Sequence, residues 1–447
     1  MTSAVRSPNR TAKPPLDLRL GTLFLWLLVL GVPFVLMSVA KESFREPKRL
    51  AGEWLALASL TCLAWGLRRV ERVSLAGLWR LPAVRLVVPC LAVATAGLAT
   101  SSHPLQVREA LIDLWIGAAA LVGWSLALSA SRLERLLRGL LWPAALLALL
   151  GILQYYGFQP LALAAPSPGN RLAITSLAGN PGDLAAYLLL PCLVAQASLA
   201  GRRRRGEAWT RPGVWGTALA LAVSLFAVLL TQTLAAVAAI LAGSLLLWAP
   251  RVPRRRAAAL LAASAVAAAL LVAAVPPLRN RVLQKSQALA RGDWNWVLTG
   301  RLDGWRAAAW MLRQHPLAGV GQGAYGAEFA PAKLALLDQG VQFFADLKET
   351  GFANAHNELL EVGADWGIPG LLALAWALWV LLTVLRDAAG RSPEDRALAW
   401  AGTAALGVLS LFDFPFRIAL VAFPALLFLS WVLRREERGE RHEDVAA

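Results

Sequence analysis

Twelve long apolar runs constrain the fold of this chain more than any other feature of its sequence. An apolar helix needs about 20 residues, and at least roughly 17, to cross the hydrocarbon core of a bilayer. The chain is 57% hydrophobic and 16% charged, whereas a soluble domain averages about 25% charged residues. These features predict an all-α integral membrane protein with about 12 transmembrane helices. The predicted spans are residues 22–40, 51–67, 84–100, 110–129, 136–156, 184–200, 214–231, 233–249, 257–275, 368–385, 397–412 and 418–433.

Basic residues are distributed unequally between the two sides of these spans. Of the 44 Lys and Arg residues, 28 lie in the seven connections on the side of the N-terminus, and 7 lie in the short connections on the other side. Because Lys and Arg of short loops collect on the cytoplasmic side, we predict a bacterial inner-membrane protein with both termini cytoplasmic. The net charge of +16 is spread over many loops rather than one face, which favours contacts with membrane lipids over a nucleic-acid partner.

The segment between the ninth and tenth predicted spans is too long for an ordinary connector. On the topology above it lies in the periplasm. We therefore predict three parts of the chain. Residues 1–275 contain spans 1 to 9, residues 276–367 form a large helical periplasmic loop domain with the active site, and residues 368–447 contain spans 10 to 12 and a cytoplasmic tail.

Two helices are predicted within this loop. TGRLDGWRAAAWMLRQHP predicts an amphipathic helix that Thr299 caps and Pro316 ends. NAHNELLEVGADWG predicts a second, short helix with Asn354 as its cap and Gly367 as its terminator. Between them, GVGQGAYG lacks the strand and the Lys-Ser/Thr pair of a P-loop and predicts a backbone turn. The apolar stripe of the first helix comprises Leu302, Trp305, Ala309 and Leu312.

Acidic residues mark the periplasmic ends of the predicted spans. Glu53, Asp113, Asp183 and Asp413 all lie toward that side, and no Lys or Arg lies deep in a predicted span. A proton- or ion-coupled transporter usually needs ionisable groups near the midplane of the membrane. The distribution therefore favours an enzyme that acts at the periplasmic surface over a polysaccharide-lipid transporter, which is the more remote alternative.

His356 stands between Asn354 and Asn357 at the start of a predicted helix. The positive end of a helix dipole favours the neutral imidazole, which can accept a proton as a general base near neutral pH. The two amides could orient the imidazole or a substrate. A capping or surface histidine in an ordinary loop is the alternative interpretation.

Three stretches of the sequence carry a recognisable set of motifs. They are SLAGNPGDLAAYLLLP at 176–191, TGRLDGWRAAAWMLRQHPLAGVGQGAYGAEF at 299–329 and AHNELLEVGADWGIPGLL at 355–372. As a set they resemble the O-antigen ligase and O-antigen polymerase superfamily. Members of that superfamily carry a loop arginine before a tryptophan-containing helix, and a histidine–asparagine pair shortly before a span.

The resemblance implies a metal-independent, inverting glycosyltransferase without a cofactor, in the biosynthesis of surface polysaccharide such as lipopolysaccharide O-antigen or exopolysaccharide. Its donor would be a glycan linked to undecaprenyl pyrophosphate, and its acceptor a hydroxyl of a glycan, of lipid A core or of a protein. A ligase, a repeat-unit polymerase and a protein O-oligosaccharyltransferase would share the donor. They differ in the acceptor, so all three remain open.

The resemblance also assigns roles to residues. Arg301 matches the family's loop arginine and is expected to hold the pyrophosphate, because a guanidinium is a planar fork that is always charged. His356 matches the family's histidine and is expected to activate or position the acceptor hydroxyl. Further candidates for substrate binding are Arg306, Asn354, Asn357 and Glu358. For Arg306, which points away from Arg301 on a regular helix, a solvated face is the favoured alternative.

One departure from the family's pattern concerns the middle of the chain. Many members carry an arginine there, as the other half of a pyrophosphate clamp, where this chain has Leu234. Another cation on the same side is expected to substitute for it. Arg171 and Lys48 are the substrate-binding candidates for this role, and anionic lipid contact is the alternative for the basic first loop. Other candidates are Lys41, Arg45, Arg49 and Arg417.

Overall fold

The computed structural model is helical throughout the part of the chain that it describes. No strand occurs in those residues, which confirms the predicted all-α class. The described residues are 16–37, 42–67, 75–159, 168–249, 273, 276–344, 352–387 and 391–434.

Among the described residues, seven helical stretches are long and apolar enough to cross a membrane, which supports a multi-pass membrane protein. They cover Leu16–Phe34, Pro82–Ala99, Pro104–Ala127, Ala130–Tyr155, Pro181–Arg204, Pro212–Thr231 and Glu358–Arg386. Two shorter apolar helices, Leu234–Trp248 and Ala419–Leu433, coincide with two further predicted spans.

Two of the remaining predicted spans also coincide with helices. The predicted spans 51–67 and 397–412 overlap the helices Arg45–Leu67 and Pro393–Ser410. The predicted span 257–275 lies, apart from residue 273, outside the described residues. The count of twelve spans and the periplasmic loop domain therefore stay predictions.

The helices of the bundle are α1 to α10, numbered along the chain. They are α1 (Leu16–Gly31), α2 (Arg45–Leu67), α3 (Leu75–Trp79), α4 (Pro82–Ala96), α5 (Pro104–Ala127), α6 (Ala130–Gly139), α7 (Leu141–Tyr155), α8 (Pro181–Arg204), α9 (Pro212–Thr231) and α10 (Leu234–Trp248). Gln232 has a φ of 53° and makes the predicted turn between α9 and α10.

Helix α8 lies at the centre of the bundle. Of its apolar window 89% is buried, against 33% for the neighbouring α9. It contacts α7, α9 and α10. At Gly243 of α10, an added Cβ would lie only 2.8 Å from Leu193 of α8, so a small residue there lets the two helices approach closely.

The helices that follow carry and position the candidate site. They are α11 (Pro276–Ala290), α12 (Trp294–Val297), α13 (Arg301–Gln314), α14 (Tyr325–Asp338), α15 (Glu358–Arg386), α16 (Pro393–Ser410) and α17 (Ala419–Leu433).

Helix α13 begins at Arg301, one residue later than predicted. Its N-cap is Gly300, with a φ of 79°, and not Thr299. The Thr299 hydroxyl accepts a hydrogen bond from Lys285 Nζ at 3.1 Å, so that side chain is engaged by α11 and does not cap the helix. The predicted end of the helix before Pro316 is confirmed.

The buried face of α13 also differs from the predicted apolar stripe. The buried side is formed by Gly304, Ala307, Ala308 and Met311, and the predicted stripe is half-buried. Small residues face inward because other parts of the chain approach the helix backbone closely. Tyr325 Oη donates to the Gly304 carbonyl at 2.9 Å, and a Cβ at Gly304 would lie 3.2 Å from the carbonyl oxygen of Ala355.

The glycine-rich segment between α13 and α14 is a backbone turn, as predicted. Gly319, Gly321 and Gly323 all have positive φ values, which glycine adopts without the strain that a side chain brings. The turn is held by one acid of α15. Gly323 N–H donates to Asp365 Oδ2 and Gly321 N–H to the Asp365 carbonyl, both at 2.9 Å.

Helix α15 is capped by Asn357 rather than by Asn354. Asn357 Oδ1 accepts from the Leu360 N–H at 3.0 Å, because it stands directly before the first helical residue. Gly367 interrupts the helix at the predicted point, with a φ of 67° and a ψ of −161°. Beyond it the chain continues as the predicted apolar span, and the Ile368 N–H donates to the Pro316 carbonyl at 2.7 Å.

The segment LFDFPFR, residues 411–417, connects α16 to α17 and is named here the outer turn. It lies against the first turn of α15. Asn357 Nδ2 donates to the Leu411 carbonyl at 3.0 Å, and the Phe416 N–H donates to Glu358 Oε1 at 3.3 Å. These contacts bring the outer turn next to His356.

Candidate active site

His356 adopts a backbone conformation that is rare for a side-chain-bearing residue. Its φ is 54°, in the left-handed region, and strain of this kind concentrates at functional sites. Its ring packs edge-on against Phe414 and Phe352, with centroid distances of 4.8 and 6.0 Å. The side chain remains 30% exposed, so two aromatic rings fix the imidazole while part of it stays open.

Asp413 of the outer turn is the carboxylate that faces this imidazole. His356 Nδ1 lies 3.7 Å from Asp413 Oδ1, and Nδ1 is buried and has no hydrogen-bond partner among the described residues. The separation is slightly too long for a hydrogen bond. A shift of less than about 1 Å would let Nδ1–H donate to the carboxylate and leave Nε2 as the proton acceptor. His356 and Asp413 are named here the dyad.

Arg301 lies close enough to Asp413 for the carboxylate to act on its guanidinium. Its guanidinium donates to the Leu298 carbonyl at 3.4 Å, while its Nε is buried and has no hydrogen-bond partner in the described segments. Burial lowers the pKa of Arg301, and the negative charge of Asp413 partly offsets this effect. The outer turn thus brings the two predicted catalytic residues, Arg301 and His356, to the same carboxylate.

Three further cations surround Arg301. Together Arg171, Arg281, Lys285 and Arg301 are named here the cation cluster. Lys285 Nζ donates to the Val297 carbonyl and to Thr299, just before Arg301. In the described part of the chain, none of the four forms an ion pair with a carboxylate.

The cations of this cluster weaken one another's protonation. Burial first, and then Arg281, Arg301 and Arg171, lower the pKa of Lys285 to about 8. Burial, Arg281 and Arg301 lower the pKa of Arg171 to about 10. Since like charges disfavour one another, an anion that entered the cluster would relieve the repulsion.

Arg281 is a cation near Leu234, the position at which the family's arginine was expected. It extends from α11 to the turn between α9 and α10, where its guanidinium donates to Gln232 Oε1 at 3.4 Å. Leu234 itself is the first residue of α10 and is exposed. A cation from another helix therefore reaches the turn where the family's arginine was expected.

Sequence reasoning did not select Arg281 or Lys285, and it noted Asp413 only as an acid near a helix end. One signal in the sequence was available for the first two. They stand four residues apart in PPLRNRVLQK, which places both on one face of a helix. The link between Asp413 and His356 depends on packing between distant segments and has no local signal.

The basic residues of the first outside loop are engaged elsewhere. Lys48 is only 2% exposed, and its Nζ donates to the carbonyls of Val35 and Phe44 at 2.7 and 3.1 Å. Arg45 forms a two-pronged ion pair with Asp183, at 2.8 and 2.9 Å. The ammonium group of Lys48 is thus engaged by backbone carbonyls, and its role in substrate binding stays a prediction. Arg49 pairs with Glu46, Glu53 and Asp113, and Lys41 lies outside the described residues.

Arg417 holds the outer turn against α15. Its Nε lies 3.1 Å from Glu361 and its Nη2 lies 2.8 Å from Asp365, and both carboxylates are fully buried. Burial alone would lower the pKa of Arg417, but the two acids raise it. This arginine is neutralised by its partners and has a positioning role.

The remaining predicted substrate-binding residues differ in their contacts. Asn357 and Glu358 hold the outer turn, as described above, and Asn354 is half-buried two residues before His356. Arg306 points away from the cluster, as its helical spacing indicated. Its guanidinium donates to the Gln342 carbonyl at 2.8 Å and lies 3.9 Å from Asp303.

One family model matches the chain. It is described as O-antigen ligase and matches residues 219–375. The matched segment contains Arg281, Lys285, Arg301 and His356, and it ends before Asp413. None of the curated proteins compared with the chain matches it.

Proposed function

Because the chain belongs to the O-antigen ligase superfamily through residues 219–375, we propose that it is a membrane glycosyltransferase with an undecaprenyl-pyrophosphate-linked donor. The family match supports a ligase- or polymerase-type function in surface polysaccharide biosynthesis, with a lipid-linked glycan and a glycan acceptor as partners. The observation that carries the proposal is the cation cluster, which forms no ion pair within the described part of the chain, beside the His356–Asp413 dyad.

The cation cluster is the proposed site for the donor's diphosphate. Among the residues that the structure describes, the Nε atoms of Arg301 and Arg171 are buried and have no hydrogen-bond partner. Buried polar atoms rarely stay unsatisfied, so such groups indicate a missing acceptor. Phosphate oxygens fit the planar guanidinium fork. The same cations stabilise the negative charge that develops as the bond from sugar to phosphate breaks.

The dyad is the proposed site for the acceptor hydroxyl. The hydroxyl oxygen attacks the anomeric carbon, and its proton goes to Nε2 of His356. The bond between the anomeric carbon and the diphosphate oxygen breaks, and its electron pair stays on undecaprenyl pyrophosphate. Asp413 accepts from Nδ1–H and stabilises the imidazolium. A single displacement of this kind inverts the configuration at the anomeric carbon.

Four cations beside the leaving group supply the charge that a divalent metal ion supplies in other transferases. We therefore propose that transfer proceeds without a metal or another cofactor. Arg171, Arg281, Lys285 and Arg301 all lie outside the apolar helices, so the diphosphate would be bound at the membrane surface.

The proposed location of the site is the periplasmic face of the inner membrane. Helix α8 extends from Asp183, the partner of Arg45, to Arg202–Arg204 at its other end. The arginine-rich end is the cytoplasmic one under the positive-inside tendency. The end with Asp183 and the outer turn is then periplasmic, with twelve spans and both termini in the cytoplasm.

The proposal is tested with purified full-length protein in lipid, a lipid-linked glycan donor and excess chelator. We expect release of undecaprenyl pyrophosphate that depends on an acceptor. Lipid A core, a growing glycan chain and a protein hydroxyl are supplied separately to identify the acceptor class. Arg281→Gln should lose turnover, whereas the control Arg279→Gln, an exposed arginine of the same helix, should retain it. Equal turnover of both variants, or a requirement for added metal, would contradict the proposal.

A further inference from the structure

A polar crevice lies at the end of the bundle opposite the active site. It has a volume of about 160 Å³ and is enclosed by the ends of α6, α7, α8 and α9. Arg138, Arg202 and Arg205 line it, together with Trp142 and Thr217. The crevice is unrelated to the donor site, because α8 spans 24 residues between the two, a distance of about 36 Å at about 1.5 Å per residue.

The three arginines leave the crevice with an excess of positive charge. Arg202 and Arg205 share a single carboxylate, Glu207, at 3.1 and 3.0 Å. Arg138 pairs with Glu134 one helical turn away. Among the described residues these three guanidiniums thus pair with two carboxylates, while the nearby Glu394 pairs with Arg204. Each guanidinium has more donors than these pairs use. The crevice is therefore complementary to an anion.

Two glycines that line the crevice leave space beside its side chains. At Gly213, a Cβ would lie 2.9 Å from the Arg202 guanidinium, which rests on the helix backbone there. At Gly216, a Cβ would lie 3.6 Å from the Trp142 ring. A larger side chain at either position would occupy the space beside the guanidinium or the indole.

Exposed apolar side chains continue from the crevice along α7 and α9. Trp142 and Trp215 are 63% and 62% exposed. One helical turn further, Leu146 and Leu219 are 57% and 50% exposed. Tryptophan favours the level of the lipid headgroups. An anion bound between the arginines would therefore have apolar surface directly beside it.

We propose that this crevice binds the phosphate of an anionic phospholipid of the cytoplasmic leaflet, with the acyl chains along α7 and α9. Basic pockets between membrane helices on the cytoplasmic side bind anionic headgroups. A free phosphate ion would use the arginines alone, whereas a lipid uses the arginines and the adjoining apolar surface. The site is independent of the proposed transferase activity.

The test is a titration of delipidated full-length protein in detergent with phosphatidylglycerol, phosphatidylcholine or inorganic phosphate, with bound lipid counted by native mass spectrometry. We expect wild type to bind phosphatidylglycerol in preference to phosphatidylcholine. Surface arginines strengthen anionic-lipid binding by about fivefold each, so Arg202→Gln/Arg205→Gln should weaken it by about 20-fold or more. The control Arg203→Gln/Arg211→Gln removes the same charge from exposed residues outside the crevice and should bind like wild type.

A second variant tests whether lipid binding needs the open space of the crevice and not only its charge. Gly216→Leu fills the crevice without changing any charge and should also lose phosphatidylglycerol, with thermal unfolding and donor turnover as checks of folding. Binding by Arg202→Gln/Arg205→Gln and Gly216→Leu that equals wild type would overturn the proposal. So would displacement of the lipid by millimolar inorganic phosphate, which would assign the crevice to a free anion.

Discussion

Asp413 acts on both of the groups that the proposed reaction needs. It faces His356 Nδ1 at 3.7 Å, and its charge acts on the buried guanidinium of Arg301. A carboxylate in this position can accept from Nδ1–H after a shift of less than about 1 Å, which leaves Nε2 as the proton acceptor. It also balances part of the charge of the cation cluster when no donor is bound.

The role of Asp413 predicts that its substitution lowers turnover but leaves donor binding nearly unchanged. Asp413→Asn keeps the shape of the side chain but cannot stabilise the imidazolium, so kcat should fall by roughly 10²-fold, within the range of general-base contributions. The donor KM should change little, because the diphosphate is bound by the cations. Steady-state kinetics with a lipid-linked donor measures both constants, and a normal kcat would rule out the dyad.

Lys285 gives donor binding a dependence on pH. Burial and the neighbouring arginines lower its pKa to about 8, and a lysine is charged only below its pKa. Affinity for the anionic donor should therefore be full below pH 7 and decline as the pH rises through about 8. Lys285→Arg should keep its affinity across this range. An identical pH profile for wild type and Lys285→Arg, in donor-binding titrations, would exclude this role.

At the scale of elements, the outer turn depends on Arg417. Its two partners, Glu361 and Asp365, are fully buried, and loss of one partner of a buried ion pair costs about 3–5 kcal/mol. Arg417→Met should thus lower the thermal unfolding temperature and reduce turnover, since the dyad loses its support. Arg313→Met, an exposed residue near the end of α13, is the control. Equal stability of the two variants in detergent would refute this role of Arg417.

The elements differ in how far the sequence predicts them. Apolar length identified most of the long helices of the bundle, because the membrane imposes one requirement on every span, but it did not identify α3 or α6. Helix ends were less predictable. Thr299 and Asn354 have the right chemistry for caps, but Gly300 and Asn357 occupy those positions. Lys285 bonds to Thr299, and such tertiary contacts have no trace in the local sequence.

The residues of the candidate site also differ in how far the sequence predicts them. Arg301 and His356 lie in contiguous motifs, and sequence comparison could select both. Asp413, Arg281 and Lys285 lie in other segments and reach the site only through packing of the outer turn and α11. Lys48 was selected for its charge, yet backbone carbonyls engage its ammonium group. Whether a charged side chain is free or paired is a property of the fold.

At the scale of the whole molecule, the two ends of the bundle should lie in different compartments. A reporter that is active only in the periplasm should be active when fused at Gly340, in the loop after α14. It should be inactive when fused after Arg204, at the basic end of α8. Reporter activity in whole cells, corrected for expression, measures this difference. Equal activity at the two positions would contradict the proposed orientation.

The most direct test of the account compares donor binding and sugar transfer for Arg301→Lys and His356→Ala. Arg301→Lys keeps the charge but loses the fork, so both binding and turnover should fall. His356→Ala should bind donor like wild type while turnover falls by about 10²–10⁴-fold. The controls Arg306→Lys and His315→Ala, in the same helical region, should resemble wild type. If His356→Ala transferred sugar as fast as wild type, the proposed division between cation cluster and dyad would be wrong.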